Sequence, residues 1–266
     1  MDKARIILEP YDEGMFDEFV EVVMQDNFLN IDLDNPKHVR IMRENLAQEN
    51  SILMAIRDAS SHEFLGYCDA HDTDKHPWEL GIKLLERHWG KGIGYGALKE
   101  FLPILAEEHK QTGFIAQIAP DNLASIRLFQ KLGATPREVR RSMYMLDEGM
   151  VKRFAEEHSD LIDDTVVEMA SLFGVEPEYL LGRVLVFDVP AEQHENGKEA
   201  QGEKGSAAED PKRRPSAQRA VEKYAMRGLM DDLIELRDKH AGVGDDDELD
   251  EEFARLREKH RWMSLS

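Results

Sequence analysis

Between Glu79 and Tyr95 the sequence reads Glu-Leu-Gly-Ile-Lys-Leu-Leu-Glu-Arg-His-Trp-Gly-Lys-Gly-Ile-Gly-Tyr. The closely spaced Gly90, Gly92 and Gly94 are a means of holding an anion. Glycine lets the backbone approach a ligand closely, and the first amides of a following helix have no internal partner. With the helix dipole behind them, such amides bind phosphate. Lys91 adds positive charge at the same place. The spacing excludes a P-loop, which needs four residues between its glycines and then Gly-Lys-Ser/Thr. It also fits a dinucleotide fingerprint poorly, because the strand before it is amphipathic and no βαβ unit precedes it. Two elements position the turn. An alternating strand carries Leu80, Ile82 and Leu84 on one face and Glu79, Gly81 and Lys83 on the other, and a helical run extends from Tyr95 to His109.

A second stretch, Pro120-Asp-Asn-Leu-Ala-Ser-Ile-Arg-Leu-Phe-Gln-Lys-Leu-Gly133, lies one apolar strand (Phe114 to Ala119) downstream. Together the two stretches resemble the GNAT superfamily of acetyl-CoA-dependent N-acetyltransferases. The family's Gln/Arg-x-x-Gly-x-Gly/Ala pattern falls on Trp89 to Gly94, with Trp89 in the first position. Its second pattern falls on Asn122, Ser125, Leu128, Phe129, Lys131 and Gly133. Trp-Gly-Lys-Gly is similar to the branch that acetylates the N-terminal amines of ribosomal proteins. The resemblance covers about residues 1–147, and a later strand, Arg183 to Pro190, looks like the family's last.

The resemblance implies an α/β (α+β) fold with a mixed, mostly antiparallel central sheet flanked by helices. It implies acetyl-CoA as co-substrate and a primary amine as acceptor: a protein N-terminus, a polyamine or a small amine. The amides of Gly90, Lys91, Gly92, Ile93, Gly94 and Tyr95 would hold the pyrophosphate. Backbone groups of Leu84 and Leu85 would meet the pantetheine and the thioester carbonyl as oxyanion donors. Asn122, Ser125, Phe129 and Lys131 would line the cofactor, with Trp89 beside them. Glu79 is the first candidate for the base that takes a proton from the amine, because members of the family place a carboxylate on this strand. His71 and Asp69 are reserves. The family's frequent proton donor is a tyrosine in the second pattern, and Phe129 stands there instead. Water, Ser125, Tyr67 or Tyr144 is left to return the proton to the thiolate. A cofactor-binding module without catalysis is the alternative that Phe129 favours.

The remaining chain supports a single catalytic domain with appendages. Its 266 residues are 41% hydrophobic and 33% charged, which suits a globular protein able to bury a core. The net charge is −20. Residues 1–190 hold 35 acidic and 20 basic residues and so carry −15, whereas residues 191–266 hold 19 and 14 and carry −5. An acidic domain repels nucleic acid and favours cationic acceptors. No apolar run has membrane-spanning length, so neither nucleic acid nor membrane is an expected partner. With Cys68 alone there is no internal disulfide, and cytoplasm is the expected setting. His71, Asp72, Asp74 and His76 lack metal-ligand spacing and read as a loop.

Further elements follow from periodicity. Strands are predicted at Ala4 to Leu8, Ser51 to Ile56 and Phe64 to Ala70. Helices are predicted from Asp12, from Pro36 and over Leu123 to Leu132; the resemblance implies that the first two flank the acceptor, with Phe28, Leu29 and Asn30 near it. Met143 to Leu146 is expected to supply part of a closing strand pair. A helical insertion (residues 148–181) is predicted from periodicity over Val151 to Phe173, and the resemblance implies that it lies beside the acceptor pocket and shapes or lids it. Its segment Glu168 to Gly182 resembles part of a helix-turn-helix repressor but lacks a basic recognition helix. Residues 191–216 read as a polar linker. Residues 217–266 read as a helical extension, Ala217 to His240 and Glu251 to Trp262, packing on the domain or forming a homodimer.

Overall fold

The computed structural model describes residues 5–25, 31–191, 216–239 and Arg255. Phe28, Leu29 and Asn30, the linker from 192 onward and the Glu251 to Trp262 segment lie outside these residues, Arg255 excepted. In chain order the elements are β1 (Ile6–Pro10), α1 (Phe16–Met24), α2 (Pro36–Leu46), β2 (Ser51–Asp58), β3 (Phe64–His71), β4 (Trp78–Leu84), α3 (Ile93–His109), β5 (Gly113–Ile118), α4 (Leu123–Lys131), β6 (Thr135–Arg141), α5 (Glu148–Glu157), α6 (Asp164–Phe173), β7 (Arg183–Pro190) and α7 (Ser216–Lys239).

The seven strands form one sheet in the order β1-β2-β3-β4-β5-β7-β6. Every neighbouring pair is antiparallel except β4 and β5, which run parallel and pair only at Trp78 with Phe114 and Glu79 with Ile115. Beyond Glu79 the two strands part. This is the fold the two sequence patterns imply, a mostly antiparallel sheet flanked by helices.

Alternation along the strands divides the sheet into two faces. Trp78 and Leu80 of β4, Phe114, Ala116 and Ile118 of β5, and Phe187 of β7 share one core cluster with Leu98, Phe101, Leu102 and Leu105 of α3. Ile126 and Phe129 of α4 and Val166 and Met169 of α6 join the same cluster. Elsewhere Phe19 and Val22 of α1 pack on Ala55, Phe64 and Leu85. A further cluster joins α5 to α7 through Met145, Met150, Val151, Phe154, Val221, Ala225 and Leu229. The spacing of four between Ala217, Val221, Ala225 and Leu229 puts the apolar side of α7 on one stripe, and all four are buried. That stripe is covered by the chain's own domain, so among the described residues of α7 the face offered for dimerisation is already used.

The structure corrects one expected strand and moves two element boundaries, and it resolves the expected helical insertion in detail. Met143 to Leu146 is not a strand: Met143 and Tyr144 form a turn, and the partner of β7 is β6, which pairs from Thr135 to Arg141. Its sequence Thr-Pro-Arg-Glu-Val-Arg-Arg has no apolar alternation because it is an exposed edge, where proline and charge discourage further pairing. The insertion is two helices, each capped by an aspartate. Asp147 accepts from the Met150 amide at 2.7 Å and Asp163 from the Val166 amide at 2.9 Å. Helix α3 starts at Ile93, two residues earlier than its periodicity indicates, and β1 extends through Pro10, as an edge strand permits.

Candidate active site

The glycine turn has the form that anion binding requires. Gly90 and Gly92 have φ of 71° and 75°, values at which a side chain is strained. Gly92 is the N-cap of α3, no side chain there caps the helix, and a Cβ at Gly92 would meet nothing within 4 Å. The first amides of a helix have no partner within it, so an uncapped, open turn of this kind suits an anion such as a pyrophosphate. Gly94 serves packing instead: a Cβ there would lie 3.3 Å from Ile82 and 3.4 Å from Leu128. Lys91 is exposed and Ile93 is buried. Lys131, from the end of α4, places its Nζ 4.2 Å from the centroid of the Tyr95 ring, next to the same helix start.

The junction between β4 and the turn is clamped by a residue that sequence reasoning missed. Gln25, just after α1, donates to the Leu84 carbonyl at 3.3 Å and accepts from the Glu86 amide at 2.6 Å. The Trp89 indole donates to the same Leu84 carbonyl at 2.9 Å. Leu85 is not available as a donor to the thioester. Its amide is spent on the Leu65 carbonyl at 2.9 Å, its carbonyl accepts from His88, and its side chain is buried. Because successive strand amides point to opposite sides, the Leu84 amide points the other way, toward the parting of β4 and β5.

At the start of that parting stands Glu79, with 17% of its side chain exposed. Antiparallel register sets His71 opposite Glu79 and Asp69 opposite Gly81. The His71 ring bridges two carboxylates: Nδ1 is 2.9 Å from Asp69 Oδ2 and Nε2 is 3.3 Å from Glu79 Oε1. The second Glu79 oxygen accepts from Gln117 Nε2, across the gap from β5. Gly81 makes this possible, since a Cβ there would sit 2.2 Å from Asp69 Oδ1. Burial by itself would push the His71 imidazole down, but hydrogen bonds to Asp69 and Glu79 outweigh it and raise the ring to about 10. At neutral pH His71 is thus an imidazolium that donates to both carboxylates.

The raised His71 value has a measurable consequence. A group whose pKa is higher in the folded state stabilises the fold fully below its unfolded pKa of about 6.5. That contribution is lost as pH rises through about 10. In denaturant titrations at pH 6.5, 8 and 10, His71→Gln is expected to show a flatter decline in stability than the wild type. Parallel declines would mean that the bridge does not hold the proton.

Of the second pattern, Asn122 caps α4, its Oδ1 accepting from the Ser125 amide at 3.1 Å. Phe129 is only 3% exposed and lies in the core beneath α4, not on a cofactor-facing surface. Tyr67 stacks on Phe19 with centroids 5.2 Å apart, and burial raises its hydroxyl. Tyr144 packs against the α5–α7 cluster. Burial, then the negative charge of Glu222, push its hydroxyl up to about 12, while Lys83 of β4 opposes them. Glu222 is itself 5% exposed. Its only mark in the sequence is an acid beside an apolar stripe, just as Gln117 is a lone polar residue in an apolar strand. Among the described residues no group of histidine, cysteine and acidic side chains is arranged to hold a metal, and no helix is long and apolar enough to cross a membrane. A surface depression lined by His76, Gln111, Thr112, Asp188 and Pro190 lies by the first residues of β5 and contains none of these site residues.

Residues 5–135 match the family described as "Acetyltransferase (GNAT) domain". No curated protein matches the sequence significantly. Among solved structures, the chain is similar to a spermidine N-acetyltransferase from Vibrio cholerae in complex with CoA and spermine, at 10% identity over 71% of this chain and 96% of that one, with a TM-score of 0.47. It is also similar to a GNAT-family acetyltransferase from Bacillus anthracis, at 11% identity over 72% and 98% with a TM-score of 0.46. A domain from Methanocaldococcus jannaschii DSM 2661 matches at 14% identity over 70% and 98%, with a TM-score of 0.45. Residues 5–135 thus match an acetyltransferase (GNAT) domain, and the chain is an acyltransferase that uses acetyl-CoA.

Proposed function

We propose that this protein transfers the acetyl group of acetyl-CoA to a primary amine by direct attack on the thioester. The observation that carries the reading is Glu79, held by His71 and Gln117 where β4 and β5 part, on the face away from the core of α3 and α4. The turn from Gly90 to Tyr95 holds the pyrophosphate, and the Leu84 amide faces the thioester carbonyl. The amine nitrogen bonds to the carbonyl carbon, and its protons become acidic as it does so. Glu79 takes one of them. The carbon–sulfur bond then breaks, and the departing thiolate takes its proton from water, since Phe129 stands where the family's tyrosine would donate one. Asp69 and His71 position Glu79 and do not act as the base themselves.

The acceptor class remains a protein N-terminus, a polyamine or a small amine. Asp69 and Glu79 favour an acceptor that arrives as a cation. Trp89-Gly-Lys-Gly is what supports the protein N-terminus among the three.

Calorimetric titration with acetyl-CoA, followed by thiol release against a panel of amines, tests the whole reading. Binding with amine-dependent release is expected. Binding without release for any amine would sink the catalytic assignment. A second test separates fold from function at the turn. Asp enters the left-handed conformation at a cost of roughly 1 kcal/mol, so Gly92→Asp should lower the melting temperature by only about 2–4 °C. Its carboxylate would repel phosphate, and acetyl-CoA affinity should fall at least ~10-fold, about 1.4 kcal/mol. Unchanged affinity would remove the turn from the binding site.

A further inference from the structure

Leu84 is the last residue of β4, and more than the ladder holds it. It stands opposite Gly66, while the Leu85 amide bonds to the Leu65 carbonyl. Bonded and non-bonded pairs alternate along an antiparallel ladder. Leu84 therefore turns both its amide and its carbonyl away from β3, to the side where β5 has parted. In a continuous sheet a neighbouring strand would answer both groups. Here side chains answer the carbonyl twice, with Gln25 Nε2 at 3.3 Å and Trp89 Nε1 at 2.9 Å, and the amide faces the opening.

Capping alone does not account for Gln25. It is the C-cap of α1, and its Nε2 also donates to the Val22 carbonyl at 3.3 Å, as a helix end requires. The oxygen of the same side chain, however, accepts from the Glu86 amide at 2.6 Å, so one planar amide spans Leu84 and Glu86. One turn earlier on α1, Glu21 pairs with Arg87 at 2.6 Å, and Phe19 and Val22 pack against Leu85. Helix α1 thus grips four successive residues, Leu84 to Arg87, on the way from β4 to the glycine turn. On the other side of Leu84, the Lys83 carbonyl lies so close to Gly66 that a Cβ there would be 2.2 Å from its oxygen. Both peptide planes that meet at Leu84 are therefore fixed.

We infer that Gln25 is a positioning residue for acetyl transfer: with Trp89 it takes up the Leu84 carbonyl and so holds the Leu84 amide aimed at the thioester carbonyl. The inference rests on the reading of that amide as the oxyanion donor. Such a donor is worth most when it is set in place before charge develops. A strand end that has lost its neighbour has no ladder on that side to set it, and the two side chains supply what β5 does not. They also close the carbonyl as an acceptor, so Leu84 offers the opening a donor alone.

The test uses the full chain with Gln25→Glu, Gln25→Met, Trp89→Phe and the pair Gln25→Met with Trp89→Phe. Gln25→Glu keeps the size of the side chain and an oxygen for the Glu86 amide, but as a carboxylate it has no hydrogen for Leu84. Infrared difference spectra of bound acetyl-CoA, isotope-labelled at the acetyl carbonyl, read the polarisation of that carbonyl directly. Spectra are scaled to sites titrated with CoA, so that loss of folded protein does not enter. In the wild type the carbonyl stretch is expected to fall below that of free acetyl-CoA. Each single variant should give back part of this shift, and the pair nearly all of it. CoA has no thioester carbonyl, and its affinity should stay within about twofold of the wild type throughout. With the amine that the wild type acetylates fastest, kcat should fall about 3- to 10-fold in the single variants and about 10²-fold in the pair, the cost of losing an oxyanion donor. If the wild type shows the shift and the pair keeps it, Gln25 and Trp89 are structural, and the inference fails while the Leu84 donor stands. If CoA affinity falls in step with kcat, the two side chains shape the glycine turn rather than Leu84, and the inference fails again. A wild-type complex without the shift overturns the Leu84 donor and Gln25's role with it, while amine-dependent thiol release by the wild type leaves the acetyltransferase reading standing.

Discussion

Replacing Glu79 by glutamine is expected to reduce kcat by about 10²- to 10⁴-fold, the usual contribution of a positioned base, and to leave acetyl-CoA affinity within about twofold. The amide keeps the size of the side chain and one acceptor oxygen, so the strand and its neighbours stay in place. What is lost is the ability to take a proton from the nitrogen after it has bonded to the thioester carbon. Glu79 also faces the His71 imidazolium at 3.3 Å, and glutamine answers that charge less well. Some loss of His71 order therefore accompanies the change. Gly81→Ala separates the two effects. Its Cβ would displace the Asp69 carboxylate, which lies 2.2 Å from that position, and would disturb His71 while leaving Glu79 itself intact. If Glu79→Gln turns over at the wild-type rate with every amine, the base is elsewhere.

The largest structural effect is expected at Gly66, in the strand beside Leu84. Its φ is 148°, and a Cβ there would lie 2.2 Å from the Lys83 carbonyl oxygen and 2.7 Å from the Leu84 Cα. Both contacts are backbone, so neither can rotate away. Gly66→Ala is expected to cost about 3–5 kcal/mol, since a strained conformation costs about 1–3 kcal/mol and over-packing adds about 1–3 kcal/mol. For a chain of this size that is a fall of about 10 °C in Tm. Because the displaced atoms belong to Leu84, acetyl-CoA affinity should fall as well, even though Gly66 contacts no ligand. Gly92 makes the contrast: it too has a positive φ, but a Cβ there meets nothing within 4 Å. A thermal melt of Gly66→Ala within about 2 °C of the wild type would show that β3 and β4 can separate without penalty.

Much of this architecture was legible in the sequence, and the reasons differ from element to element. The alternation from Glu79 to Leu84 and the glycines after it state a strand and a left-handed turn directly, since both are local properties of the backbone. Asn122 declares a helix start by its cap. β6 was not legible: it is an exposed edge and buries no alternating face. The two helices of the insertion merged into one period because the residues between them continue the apolar pattern, and only Asp163 marks the break.

For the site, the sequence by itself determined the anion-binding turn, the strand that leads into it and the face on which Glu79 stands, because each is set within a few residues. The tertiary structure alone decided which groups meet. Register across β3 and β4 brought His71 and Asp69 to Glu79, and the parting of β4 and β5 left Gln117 to span the gap. The same register spent the Leu85 amide on Leu65 and left the Leu84 amide to the opening. Gln25 reached the Leu84 carbonyl from a helix some 59 residues away, and α7 packed Val221, Ala225 and Leu229 against the α5 cluster. Periodicity reports which side of an element is buried, but not which distant side chain it will face. That is settled only when strand register and helix packing bring the elements together.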